Sequence, residues 1–127
     1  MVPIPGPSAL VAALSAAGVP ADRFVFEGFL PRKAGRRLGR LRDLATLTRP
    51  VVLYESPHRL LATLEAIEAV FGEAEVVLAR EVTKRFEEFR RGTAASLHAA
   101  LAADPRRGEV TLVINPREAA APDAADD

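Results

Sequence analysis

The chain has 127 residues, 17 acidic and 17 basic side chains, and 49% hydrophobic residues. That is enough for one hydrophobic core but not two, and too apolar for a disordered chain. It has no cysteine and two histidines, which excludes disulfides and thiolate metal sites and argues against a His-rich one.

No apolar run approaches the ~18 residues of a membrane span, and the N-terminus lacks a basic-then-apolar signal pattern. A soluble, cytoplasmic protein with no membrane attachment is therefore expected. Aromatic residues are few (six Phe, one Tyr, no Trp), so the core must be Leu, Val and Ala. Zero net charge gives no overall bias towards nucleic acid, but the charge is unevenly spread. Arg32, Lys33, Arg36, Arg37, Arg40 and Arg42 follow one another with no acidic residue among them. Such a run is either a solvated helix face or a surface for a phosphate-bearing ligand.

Pro3-Ile4-Pro5-Gly6-Pro7-Ser8-Ala9 opens the chain as a stiff, helix-free loop. Ser8 is placed to cap a helix with Leu10, Val11, Leu14 and Ala17 on one stripe and Gly18 as its stop. A rigid loop leading into a helix N-terminus can offer backbone amides to a ligand, or act simply as a connector. Phe24 to Glu27 is the first strand, closed by Gly28-Phe29-Leu30-Pro31. From Gly35 to Thr48, leucines at 38, 41, 44 and 47 recur at helical spacing until Arg49-Pro50 ends the helix.

Val51-Val52-Leu53-Tyr54-Glu55 reads as a buried strand running into Ser56-Pro57, an N-cap and N1 pair. The helix that follows carries Leu60, Leu61, Leu64, Ile67 and Phe71 and stops at Gly72. Glu75 to Arg80 is a second buried strand, Glu88 to Arg91 a short one. Thr93 is placed to cap a helix with Leu97 and Leu101 that ends before Asp104-Pro105. Val110 to Ile114 is the last strand. Residues 116–127, rich in Ala, Asp and Pro, are expected to be a disordered tail.

This alternation predicts an α/β fold: a single domain over residues 1–115, with a mixed or mainly parallel sheet of about five strands flanked by about four helices. An antiparallel exception is expected near residues 86–91. Two polar clusters fall at strand ends, where open α/β sheets place ligands: Tyr54, Glu55, His58, Arg59, and Arg80, Glu81, Lys84. If they meet, they offer a carboxylate, a lysine and guanidinium groups suited to holding phosphate and moving a proton. A structural ion-pair network accounts for the same residues. Ser56 lacks the Gly-x-Ser-x-Gly surroundings of a hydrolase, and no glycine-rich nucleotide motif occurs.

Pro5-Gly6-Pro7-Ser8-Ala9, Phe26-Glu27-Gly28-Phe29-Leu30-Pro31, Tyr54-Glu55-Ser56-Pro57-His58-Arg59, Ala79-Arg80-Glu81-Val82-Thr83-Lys84, Arg91-Gly92-Thr93 and Gly108-Glu109 occur in that order. Together they resemble the C-terminal half of the rRNA-methylating branch of the tetrapyrrole methylase superfamily, over residues 2–116. Each string alone is weak; the ordered set is specific. The resemblance implies transfer of a methyl group from S-adenosyl-L-methionine to the ribose 2′-hydroxyl of a cytidine in small-subunit rRNA. It further implies rRNA or the assembled small ribosomal subunit as partner, and a homodimer.

The departure is the N-terminal domain, with its Gly-Thr-Pro-Ile-Gly-Asn type motif, which nothing here matches. By the resemblance, Pro5, Gly6, Pro7, Ser8 and Ala9 line one wall of the cofactor cleft, joined by Tyr54, Glu55, Gly108 and Glu109. Lys84 is the expected general base and Glu81 its competitor. Arg32, Lys33, Arg36, Arg37, Arg40, His58, Arg59 and Arg80 are the expected RNA contacts. A chain carrying one wall of a cleft is expected to be inactive alone. Two other readings stay open: a non-catalytic dimerisation or RNA-binding module, and a relative acting on a corrin precursor or a protein side chain.

Overall fold

The structure, a computed structural model, describes residues 24–81, 87–103 and 109–116. The Pro5–Ala9 loop, the helix expected after Ser8, Lys84, Gly108 and the tail beyond Pro116 lie outside these residues. The described elements are β1 (Val25–Phe29), α1 (Ala34–Ala45), β2 (Val51–Glu55), α2 (Leu60–Phe71), β3 (Glu75–Glu81), β4 (Glu87–Gly92), α3 (Ala94–Ala103) and β5 (Val110–Asn115).

The strands form one five-stranded sheet in the order β1-β2-β5-β3-β4. It is mixed, as expected, but the balance is the reverse of a mainly parallel sheet. Only β1 and β2 pair in parallel; β2–β5, β5–β3 and β3–β4 are antiparallel. The reason is the last strand. β5 inserts between β2 and β3 and runs against both. A central strand buried on both faces reads as a continuous apolar run whichever way its neighbours point, so its direction is not visible in the residues.

Alternation along each strand sorts its side chains between two faces. Val51, Leu53, Val76, Leu78, Val110, Leu112 and Ile114 share a face and form one core with Leu41 and Leu44 of α1, Leu60, Leu64 and Ile67 of α2, and Ala94, Leu97 and Leu101 of α3. All three described helices therefore cover the same face. Val52, Val77 and Val113 point the other way and are also buried.

Three local details depart from the sequence expectations. First, α1 ends at Ala45 rather than near Thr48. The Thr46 amide bonds back to the carbonyls of Arg42 and Asp43, and Thr48 takes a left-handed conformation at φ 52°. Leu47 is left exposed, outside the stripe that buries Leu41 and Leu44.

Second, Ser56 and Pro57 do not cap α2. The Arg59 amide bonds the Ser56 carbonyl at 3.1 Å, closing a turn, and the helix starts at Leu60. Third, Gly28 lies inside β1 instead of after it. It adopts φ 76° at a bulge where the pairing jumps from Phe26↔Val52 to Gly28↔Leu53. Glycine reaches that conformation without steric cost. The cap at Thr93 is as expected: its hydroxyl accepts from the Ser96 amide at 3.1 Å, and the Ser96 hydroxyl accepts from the Thr93 amide at 3.0 Å.

Candidate functional site

The strand order decides which sequence motifs can meet. Because β5 opposes both β2 and β3, those two strands run the same way and end at the same edge of the sheet. Glu55 and Arg80 both pair with Val110, and Arg80 pairs in turn with Glu88. The Tyr54–Arg59 and Arg80–Glu81 strings thus share one edge, separated by a single strand. Two inter-strand spacings put their backbones about 10 Å apart. Glu109 is exposed at the entry to β5, on the same edge.

Glu55 closes the end of β2. It is 2% exposed. Its Oε1 accepts from the Ser56 amide at 2.8 Å, and the Thr63 hydroxyl donates to Oε2 at 2.6 Å. Arg59 Nε lies 3.3 Å from Oε1. One carboxylate thus ties the strand end, the turn and the second turn of α2 together. No side chain takes over the capping expected of Ser56, whose hydroxyl is buried with no hydrogen-bond partner among the described residues. Glu55 is therefore placed to shape the turn rather than to reach out of it. Of this string His58 is exposed, and Tyr54 and Arg59 are half-buried.

Arg80 is likewise 2% exposed, and its Nε donates to Glu88 Oε1 at 3.1 Å. Arg90 engages the other oxygen of Glu88, with Nη2 at 3.1 Å. Expected on the RNA side, Arg80 instead points into the helix-covered face, so for Glu55 and Arg80 the ion-pair reading describes the geometry.

The basic run divides in the same way. Arg37 is buried, and its guanidinium donates to the Arg32 carbonyl at 2.7 Å, holding the entry of α1. Arg40 grips Glu27 through Nε and Nη2, both at 2.8 Å, and fastens α1 to β1. The hydrogen bonds that Arg40 donates to Glu27, and that carboxylate's charge, raise the Arg40 pKa above its ordinary value. Arg32, Lys33 and Arg36 remain exposed.

The sequence reading missed an aromatic cluster. Phe26 pairs with Val52 and Phe29 with Tyr54, so the bulge at Gly28 turns both phenylalanines to the side of the sheet that carries Tyr54. Without the extra residue, side chains three apart would point to opposite faces. The Tyr54 ring meets Phe26 edge-to-face at 5.2 Å and Phe29 at 5.8 Å. Phe26 and Phe29 are 50% and 51% exposed. A glycine between two phenylalanines in a strand was the available signal. Among the described residues, no group of His, Cys, Asp and Glu could hold a metal ion, and no helix is long and apolar enough to cross a membrane.

The chain is 49% identical over 99% of its length to Ribosomal RNA small subunit methyltransferase I of Mesorhizobium japonicum. It is 50% identical over 90% of its length to the protein of the same name from Pseudomonas aeruginosa. It spans 44% and 42% of those relatives' lengths, which fits one half of such an enzyme, the C-terminal half by its ordered motifs.

Among solved structures, cobalt precorrin-4 methyltransferase CbiF superposes with a TM-score of 0.59 at 19% identity, covering 83% of this chain and 47% of that one. Diphthine synthase superposes at 0.57 with 13% identity, covering 81% and 43%. These likenesses show the fold. The profile of the Tetrapyrrole (Corrin/Porphyrin) Methylases matches residues 1–98. The motifs, the sheet and the relatives agree: the chain belongs to the tetrapyrrole methylase family.

Proposed function

We propose that this chain is half of an S-adenosyl-L-methionine-dependent enzyme that methylates the 2′-hydroxyl of a cytidine in small-subunit rRNA, in the cytoplasm. The observation that carries this is the 49% identity over 99% of the chain to a ribosomal RNA small subunit methyltransferase. The shared edge of Tyr54–Arg59 and Arg80–Glu81 supports it as the place where a ligand would lie.

When bound, S-adenosyl-L-methionine supplies an electrophilic methyl group. The residues here suit one side of such a ligand. Tyr54 offers a ring and a hydroxyl, and the buried Ser56 hydroxyl, without a hydrogen-bond partner among the described residues, sits at the same turn. Glu55, by fixing that turn, orients both. Pro5–Ala9, Gly108 and Glu109 complete this wall by resemblance.

The 2′-hydroxyl must lose a poorly acidic proton as the methyl group arrives. Lys84 is the residue that takes it in this reading, and Glu81 is the alternative acceptor. Arg32, Lys33 and Arg36 hold rRNA phosphates beside the site, with His58 and Arg59 at its rim. The enzyme works on the small ribosomal subunit as a homodimer.

One wall buries only part of a ligand, so the chain alone binds S-adenosyl-L-methionine weakly and turns nothing over. Calorimetry finding tight binding by the 127-residue chain would overturn this. In a full-length relative, replacing the lysine that aligns with Lys84 by alanine is expected to lower the rate about 10²- to 10⁴-fold. Undiminished turnover would remove the lysine from the mechanism.

A further inference from the structure

Of the charged residues buried among those described, Glu55 and Arg80 each face an opposite charge, and Arg37 does not. Arg37 is 8% exposed. Its Nη2 donates to the Arg32 carbonyl at 2.7 Å, a neutral acceptor that satisfies one N–H and none of the charge. The carboxylates of Glu27 and Glu55 are engaged by Arg40 and Arg59 instead. A buried cation without a counter-charge is costly to keep.

The guanidinium also lies where the backbone is already positive. By reaching back to the Arg32 carbonyl it sits at the entry of α1. The Arg37 amide makes the first helical bond, to the Lys33 carbonyl at 2.8 Å, so the amides of Ala34, Gly35 and Arg36 have no acceptor within the helix. No side chain caps this end, and its first turn holds no acidic residue. Arg32, Lys33 and Arg36 stand exposed around it. Cations gathered at the positive end of a helix repel one another and the dipole, and an anion seated there relieves both. There is room for one, because a Cβ built on Gly35 meets nothing within 4 Å.

This entry belongs to the ligand edge. β1 and β2 are parallel, with Phe29 opposite Tyr54. The loop that leaves β1 for α1 and the turn that leaves β2 for α2 therefore start at the same edge, and both helices cover the same face of the sheet.

We propose that the entry of α1 is a phosphate site. The Gly35 and Arg36 amides and the Arg37 guanidinium hold one phosphodiester of the rRNA, and Arg32, Lys33 and Arg36 meet its neighbours. A single carboxylate would balance the buried charge but leave the exposed cations unused; a polyanion engages them all. The site deepens the rRNA reading and rests on it, adding an anchoring phosphate that the exposed cations alone do not define.

Variants of the 127-residue chain test it, each checked for folding by circular dichroism. Arg37→Gln keeps a donor for the Arg32 carbonyl and removes the charge. Gly35→Asp puts a carboxylate of the chain's own into the open space, with Gly35→Asn as its neutral control. One probe is inorganic phosphate, read as thermal unfolding against chloride at equal ionic strength. The other is a fluorescein-labelled single-stranded RNA, read by anisotropy over a range of salt. Phosphate is expected to raise the wild-type Tm about 2 °C or more beyond its effect on Arg37→Gln or Gly35→Asp. Arg37→Gln should weaken RNA binding about tenfold and make the salt slope shallower by about 0.7 to 1, the loss of one phosphate contact. Gly35→Asp should also weaken it, yet raise Tm in chloride above that of Gly35→Asn, because it supplies the missing counter-charge.

If Arg37→Gln lowers Tm but keeps the wild-type phosphate shift, RNA affinity and salt slope, Arg37 only fastens the helix and the site is overturned, with the rRNA reading intact. A phosphate shift lost in both variants beside unaltered RNA binding would overturn RNA as the occupant. A wild-type chain that shows the phosphate shift and binds no RNA would sink the rRNA reading and, with it, that occupant.

Discussion

On the helix-covered face of the sheet, Glu55 and Arg80 are each 2% exposed; on the other face, Phe26 and Phe29 are 50% and 51% exposed. Charge lies inside and aromatic surface outside, the opposite of the usual sorting. The difference is one of partners. Glu55 is met by an amide, a hydroxyl and a guanidinium, and Arg80 by Glu88, so burial leaves these charges compensated. The phenylalanines meet only Tyr54 among the aromatic rings described, and leave half their surface to solvent. One face is closed and structural. The other is buried at its centre, at Val52, Val77 and Val113, and exposes aromatic surface at Phe26 and Phe29.

The contrast can be broken most sharply at Leu64, which is fully buried among the helices. Leu64→Ala is expected to cost about 2–5 kcal/mol in denaturant unfolding, from lost transfer energy and the cavity left behind. Glu55→Ala should come next, at about 1–3 kcal/mol, because the Thr63 hydroxyl and Ser56 amide lose their acceptor. A double-mutant cycle with Thr63→Val sharpens it. If the two losses simply add, the 2.6 Å bond between them contributes no coupling.

Gly28→Ala is expected to cost about 1–2 kcal/mol, since a side chain there must occupy φ 76°. The nearest atoms to an added Cβ are 3.8 and 3.9 Å away on the Phe26 ring, so the strain lies in the backbone rather than in a clash. Phe29→Ala should move stability least, within about 0.5 kcal/mol in the same denaturant unfolding. A large loss of stability from Phe29→Ala would mean that the aromatic face is a core element, and would erase the distinction between the faces.

Most elements were legible because their signals are local. The apolar runs at Val51–Leu53, Val76–Ala79 and Val110–Ile114 became strands, and the leucines of α1 and α2 became buried stripes. Thr93 capped its helix because capping needs only the next three residues. Ser56 failed the same test for a reason a local reading cannot see. Glu55 just before it accepts from the Ser56 amide and from the Thr63 hydroxyl seven residues on, and the chain closes a turn at Ser56–Arg59 before the helix begins at Leu60. Arg37 carried the same charge signal as Arg36, and only packing turned one inward and left the other exposed.

The α/β alternation, the buried strands and the family can be read along the chain, since composition, turn residues and ordered motifs are local. Tertiary structure alone decided that β5 enters between β2 and β3, that the sheet is chiefly antiparallel, and that a bulge brings Phe26 and Phe29 to one side. Strand order and register are set by pairing between residues far apart in sequence, and by which faces can be buried together. No single stretch of residues carries that information.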